Sequence, residues 1–355
     1  MYEYSHGGNA VFEIGKRNII DLSANINPLG MPTSVTSAII SEIPNISRYP
    51  DNFSTLLREK TAAFEDVNAD WIFFGNGASD IIFRIPRAVS AAKVMVCAPT
   101  FSDYERSARS YGAEVVYHTL QRDNDFILDT GFIDTVRSTW PTLVYICNPN
   151  NPTGKLTKPQ FIKKLLDCCK EIGTWVAIDE CFIDFTTQAD IYTSKIFLKE
   201  YPNLIILKAF TKIFALPGLR IGYALCSDKT LISSLYAHGA DWAVSNIAQA
   251  AGISALEYAK PFIAQTVNYV SAERTAIENT LTKLGYTVFE SSANYVFFSN
   301  PHPFDLRRAL DKKGIRIRSC SNYISLDNSY YRIAVSTKEH NIKLLKAMED
   351  IANGK

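Results

Sequence analysis

The chain has 355 residues, 47% of them hydrophobic, and 37 Lys and Arg stand against 36 Asp and Glu. That much apolar material exceeds what one compact core usually holds, so two domains of unequal size are expected. A formal charge of +1 leaves no basic excess to displace counterions, so no nucleic-acid partner is expected.

Residues 1–45 are rich in Gly, Asn and Pro and predict an arm that wraps against other elements. Their start has no basic segment followed by an apolar one, and no apolar run approaches the roughly 20 residues that span a bilayer. A cytoplasmic protein with no membrane partner is expected. The run Trp71–Phe74 leads into Gly75-Asn76-Gly77-Ala78-Ser79, which opens a helix. Candidate strands follow at Lys93–Cys97, Glu114–His118, Leu143–Cys147, Trp175–Ile178 and Leu204–Leu207, with helical segments such as Ser102–Tyr111 and Lys158–Ile172 between them. Several of these strands are continuously apolar, as strands covered on both faces are. The alternation predicts an α/β fold with a parallel or mostly parallel sheet flanked by helices.

Beyond about Ala240 the texture changes. A long helical pattern covers Asn246–Leu284. Short strands are expected at Thr287–Glu290, Tyr295–Ser299, Ile315–Arg318 and Tyr331–Val335, with helices near Pro303–Lys312 and Glu339–Ile351. The expected division is a large domain over residues 46–245 and a smaller α+β domain over 246–355 together with the arm 1–45. The seven cysteines, at 97, 147, 168, 169, 181, 226 and 320, lack C-x-x-C spacing and read as buried free thiols, with no metal site expected.

Four features fall at the ends of predicted strands, where open α/β sheets bind ligands. Gly75–Ser79 offers small residues and a helix start, which suit a phosphate. Taken alone it is more often only a turn. Asn148-Pro149-Asn150-Asn151-Pro152-Thr153-Gly154 is stiffened by two prolines and presents amides. Asp179-Glu180 puts carboxylates where they are costly unless paired, by a salt bridge or by a protonated heteroaromatic nitrogen. Thr211-Lys212, followed by Pro217-Gly218-Leu219-Arg220, sets an amine in a crevice, where desolvation makes it nucleophilic. Lys208 nearby reads as a solvated surface lysine that points elsewhere.

Together these strings resemble the fold type I pyridoxal-phosphate enzymes of the aminotransferase class I/II superfamily. The resemblance implies pyridoxal 5'-phosphate as cofactor and a large domain built on a seven-stranded sheet. It implies a Schiff base on Lys212 and a pyridine-nitrogen partner in Asp179, the two catalytic residues. Asn151 would meet the ring 3-oxygen and also substrate. Gly77, Ala78, Ser79, Thr211 and Arg220 would hold the cofactor phosphate, and Phe101 would stack on the ring. Tyr49 would reach the cofactor of a neighbouring subunit, which implies a homodimer. Arg332 would take the substrate carboxylate. Three residues before the lysine, where many members carry Ser or Thr, stands Ala209.

Narrower strings, His6-Gly7-Gly8-Asn9, Leu22–Gly30 and Ile317–Tyr323, resemble the threonine-phosphate decarboxylases of cobalamin synthesis. So does Phe182, where histidinol-phosphate aminotransferases usually carry tyrosine. That resemblance implies decarboxylation of a small phosphorylated amino acid, phosphothreonine or phosphoserine, with His6, Gly7, Asn25 and Arg318 as further substrate contacts. Histidinol-phosphate transamination and a non-catalytic cofactor-binding regulator remain the competing readings. Arg84 and Pro86, in the helix after Gly77, have no evident role in the sequence.

Overall fold

The computed structural model describes residues 7–8 and 19–354. Its strands are β1 (Ile20–Asp21), β2 (Ile72–Asn76), β3 (Lys93–Ala98), β4 (Glu114–Thr119), β5 (Leu143–Cys147), β6 (Trp175–Asp179), β7 (Leu204–Ala209), β8 (Ile221–Leu225), β9 (Thr287–Phe289), β10 (Tyr295–Ser299), β11 (Ile315–Arg316), β12 (Arg318–Ser319) and β13 (Tyr330–Ala334). Seven of them form one sheet in the order β2-β8-β7-β6-β5-β3-β4. The central pairs are parallel and β8 alone runs against both of its neighbours.

The continuous apolar runs are explained by packing on two faces. Along β3, β5, β6 and β7, Met95, Val144, Ile146, Val176, Ile178, Leu204 and Ile206 join one buried cluster. Their alternating neighbours Val94, Val96, Leu143, Tyr145, Ala177, Ile205 and Leu207 join another on the opposite face. Side chains alternate along a strand, so both sets must be apolar when helices cover both sides. A mixed α/β fold with a seven-stranded, mostly parallel sheet is therefore present as the sequence predicts.

A second, antiparallel sheet has the order β12-β13-β10-β9, and β1 pairs in parallel with β11 through Ile20↔Ile315. The arm thus meets the chain's C-terminal third, and backbone N–H of Asn27 also donates to the carbonyl of Lys212. Three expectations need correction. The strand β8 was not foreseen. The helical pattern over 246–284 is two helices, Asn246–Glu257 and Ala259–Lys283, broken at Tyr258. Pro261 explains the break, because it has no N–H to give and its ring crowds the carbonyl four residues earlier. The run 315–318 divides into β11 and β12, which belong to different sheets. All seven cysteines are free, and only Cys181 is not buried. Among the described residues no helix is long and apolar enough to cross a membrane.

Candidate active site

A cavity of about 240 Å³ opens at the carboxyl ends of the parallel strands. Its wall takes Cys147 from β5, Asp179 from β6 and Ala209 from β7. The arm closes one side with Gly7, Ser23, Ala24 and Asn25, and the antiparallel sheet contributes Arg318 and Arg332.

At one end lies a cradle for an anion. Gly77 ends the turn after β2 with φ +80, and the helix Ala78–Ala88 starts beside it. A Cβ on Gly77 would stand 2.5 Å from an Arg220 guanidinium nitrogen and strain the backbone at that φ, so a side chain there would displace the guanidinium. Arg220 holds a left-handed φ of 55 just before β8. Because β8 runs antiparallel, Gly222 passes directly under the turn, and a Cβ there would meet the Ala78 nitrogen at 2.3 Å. Ala78 and Ser79 face the cavity, and the Ser79 hydroxyl donates to Asp103 at 2.9 Å. Thr211 lines the same end, while Ala209 brings no hydroxyl.

In the middle stands Lys212, on the short turn Phe210–Ile213 that follows β7. Desolvation in the cavity, with repulsion from Arg332 and Arg220, brings its amine from 10.5 to about 8. Asp179 ends β6, buried, with its carboxyl pushed upward by burial. Its Oδ1 accepts from the Cys181 N–H at 2.9 Å and its Oδ2 from the Tyr104 hydroxyl at 2.7 Å. Among the described residues no cation forms a salt bridge with it. Phe101 lies over this region, edge-on to Tyr104 at 5.6 Å between centroids.

The far end is polar and cationic. Buried Arg332 donates to the Asn151 side-chain oxygen and, at 2.8 Å, to the Ser23 carbonyl. Tyr323 reaches the same Asn151 oxygen at 3.4 Å. With its oxygen so occupied, Asn151 has its amide N–H₂ left to offer. Arg332 Nε and Asn25 Oδ1 are buried with no hydrogen-bond partner among the described residues. Arg318 donates to Asn322 at 2.7 Å and its guanidinium lies 5.3 Å from the Tyr323 ring centroid. The 148–154 loop is clamped against the smaller sheet: Tyr295 donates to the Asn150 carbonyl at 2.8 Å, and Ser292 N–H to that of Gly154 at 2.9 Å.

Of the site residues singled out in the sequence, all but Gly77, Tyr49 and His6 line this cavity, and Gly77 abuts Arg220. Tyr49 is 79% exposed and stacks on Trp242 at 4.4 Å. His6 lies outside the described residues. Lys208 requires a correction. It does point away from the cavity, but it is buried, donating to Glu65 at 2.8 Å and Asp184 at 3.1 Å. A strand between two packed faces cannot leave a lysine unsolvated and unpaired, so the sequence supplies both carboxylates. Arg84 now has an account: it is buried, pairs with Asp80 at 3.0 Å and caps the Leu235 carbonyl at 3.1 Å. Pro86 is buried within the helix, for which nothing in the structure gives a further reason. Sequence reasoning missed Tyr104, whose position three residues past Phe101 on a helix start is its only local signal.

The fit to pyridoxal phosphate is good on chemistry alone: an anion cradle, a desolvated lysine, a buried carboxylate lacking a cation and an aromatic lid share one cavity. The sequence matches the family described as aminotransferase class I and II over residues 17–348. The chain belongs to this family. It is a pyridoxal-phosphate-dependent enzyme with the fold type I architecture. It is 32% identical to the threonine-phosphate decarboxylase of Salmonella typhimurium, over 100% of this chain and 98% of the relative. It is also 32% identical to the adenosylcobalamin biosynthesis bifunctional protein CobDQ of Leptospira interrogans, over 98% of this chain but 41% of that longer protein. The crystal structure of the histidinol-phosphate aminotransferase from Clostridium acetobutylicum superposes with a TM-score of 0.88 at 31% identity, covering 95% of this chain and 100% of that one.

Proposed function

We propose that the chain decarboxylates L-threonine O-3-phosphate to (R)-1-amino-2-propanol O-2-phosphate, the linker of the cobamide nucleotide loop. L-serine O-phosphate, which would give ethanolamine phosphate, is the close second substrate. The observation that carries this reading is the set of three guanidinium groups, Arg220, Arg318 and Arg332, facing one cavity with Lys212. Three cations match three anions: a cofactor phosphate, a substrate phosphate and a substrate carboxylate. The likeness to the Salmonella decarboxylase and the Leptospira bifunctional protein supports the same reading.

Pyridoxal phosphate, when bound, supplies a protonated aromatic ring that takes up the electron pair released at the substrate Cα. Lys212 would hold the cofactor covalently. Gly77, Ala78, Ser79, Thr211 and Arg220 would cradle its phosphate, and Ser79 would turn its hydroxyl from Asp103 to do so. Asp179 would face the ring nitrogen and Asn151 the 3-oxygen, with Phe101 over the ring. Phe182 has no hydroxyl to add at that oxygen. Arg332 would take the carboxylate with two parallel hydrogen bonds, and Arg318, with Gly7, Asn25 and His6, would take the substrate phosphate. Anchoring both ends of the substrate would let Arg332 and Arg318 orient the bonds at Cα, and positioning of that kind is converted into rate. Departure of CO₂ must be matched by one proton delivered to Cα, and Lys212, near 8, can carry it at physiological pH.

We take the working unit to be a homodimer, with exposed Tyr49 reaching the cavity of a second copy, and the domains to be 46–245 and 246–355 with the arm. The competing reaction is transamination of histidinol phosphate, favoured by the likeness to the Clostridium enzyme. Incubating the holoenzyme with phosphothreonine, phosphoserine and histidinol phosphate plus 2-oxoglutarate separates the two. CO₂ and a phosphoamine from the first pair support the proposal; glutamate from the third without CO₂ from the others refutes it. An intact cofactor chromophore without any turnover points instead to a ligand-sensing regulator.

A further inference from the structure

We infer that Tyr104 is a positioning residue: by donating its hydroxyl to Asp179, it keeps that carboxylate ionised and aimed, so that the proton of the cofactor ring nitrogen stays on the ring. This rests on the reading that Asp179 faces the ring nitrogen.

The geometry is specific. Tyr104 sits in the first turn of the helix Asp103–Tyr111 and is completely buried. Its ring stacks on Tyr145 of β5 at 4.9 Å and 11°, and its hydroxyl oxygen lies 2.7 Å from Asp179 Oδ2. The other carboxylate oxygen takes the Cys181 N–H at 2.9 Å. The Cys181 thiol also bonds the carboxylate, and none of these donors is charged. A carboxylate has about four lone-pair positions, so room is left for one more donor from the cavity. Burial, followed by the charge of Asp179, pushes the Tyr104 phenol well above its ordinary range. It keeps its proton and can only donate to the carboxylate.

Neutral donors suit this place. Burial alone drives Asp179 toward its protonated form. A protonated Asp179 could not hold a ring proton, and the proton shared between carboxyl and ring nitrogen would move to the carboxyl. An arginine or lysine would prevent that, but it would also cancel the negative charge that attracts a pyridinium. A phenol stabilises the ionised carboxylate and leaves its charge in place. Hydrogen bonds to charged groups shift such equilibria by about tenfold or more.

The test uses holoenzyme reconstituted with pyridoxal phosphate carrying nitrogen-15 in the ring, whose resonance reports protonation. Tyr104→Phe removes one oxygen and keeps the stacked ring. Tyr145→Phe is its control, since Tyr145 is equally buried but donates to the Ile82 carbonyl at 3.0 Å rather than to Asp179. At neutral pH the unprotonated fraction should rise about tenfold relative to the protonated one in Tyr104→Phe and stay unchanged in Tyr145→Phe. kcat should fall while KM moves little. Fluorotyrosine at position 104, a more acidic donor that retains the fold, should move the resonance the opposite way. An unmoved resonance in both position-104 variants, or an equal shift in Tyr145→Phe, overturns the role of Tyr104 alone. A wild-type enzyme whose Lys212 carries no cofactor after borohydride reduction overturns the underlying site reading as well.

Discussion

Lys208 offers a perturbation whose size follows from the structure. It sits on β7 beside the cofactor-site elements, yet its ammonium is sealed between Glu65 and Asp184, 2.8 and 3.1 Å away. Glu65 also takes Lys195 at 3.0 Å and the Tyr223 hydroxyl at 2.5 Å. Burial by itself would raise the Glu65 carboxyl, but the charges of Lys208 and Lys195 bring it from 4.5 down to about 2. At about 1.4 kcal/mol per pH unit, that depression is worth roughly 3 kcal/mol. Breaking one partner of a buried ion pair typically costs 3–5 kcal/mol, a consistent range. Lys208→Met keeps the aliphatic volume and removes the cation that Asp184 bonds, leaving only the more distant charge of Lys195. We expect about 4 kcal/mol of lost stability at pH 7, which for a chain of 355 residues lowers the melting midpoint by about 5 °C. The sign with pH is fixed. A carboxyl with a depressed folded pKa contributes fully above its unfolded value and loses that contribution as pH falls from 4.5 toward 2. The gap between variant and wild type should therefore narrow when urea unfolding is repeated below pH 4.5. The variant should still carry a borohydride-stable cofactor on Lys212. Equal stability at pH 7, or a gap that widens in acid, would refute the reasoning.

Other expectations follow from the cavity. Gly77→Ala puts a Cβ 2.5 Å from Arg220 at a φ of +80, so cofactor affinity should drop roughly 10- to 100-fold by fluorescence titration, with circular dichroism unchanged. In the apoenzyme, the rate at which Lys212 captures pyridoxal phosphate should rise with pH, be half-maximal near pH 8 and level off above it, because only the neutral amine attacks; Arg332→Gln removes a repelling charge and should move that midpoint upward, toward 10.5. Arg332→Lys keeps the charge but loses the fork shared with Asn151 and Ser23. KM for phosphothreonine should rise roughly tenfold or more in steady-state assays.

What could be read from the sequence was what is local. The strands β3, β5, β6 and β7 announced themselves because both faces are covered, which leaves runs such as Leu143–Cys147 without a polar residue. The strings that line the candidate site were legible because each sits at a strand end and keeps its residues within a few positions. β8 was hidden by its glycine and by following directly on Pro217–Arg220, which reads as part of a loop. Lys208 was misjudged because its partner Glu65 is 143 positions away, and burial of a lysine depends on such partners rather than on its neighbours in sequence. Tyr104 escaped for the same reason, since its bond to Asp179 crosses 75 positions.

The Asn148–Gly154 loop belongs by chain continuity to β5, yet Tyr295, Ser292 and Arg332, from the region of the antiparallel sheet, all grip it. The two sheets therefore cannot part at this seam without surrendering a charge-assisted bond. A carboxylate drawn onto Arg332 would compete with Asn151 for the same guanidinium, so on the proposed reading arrival of substrate and a shift of the loop would be one mechanical event rather than two.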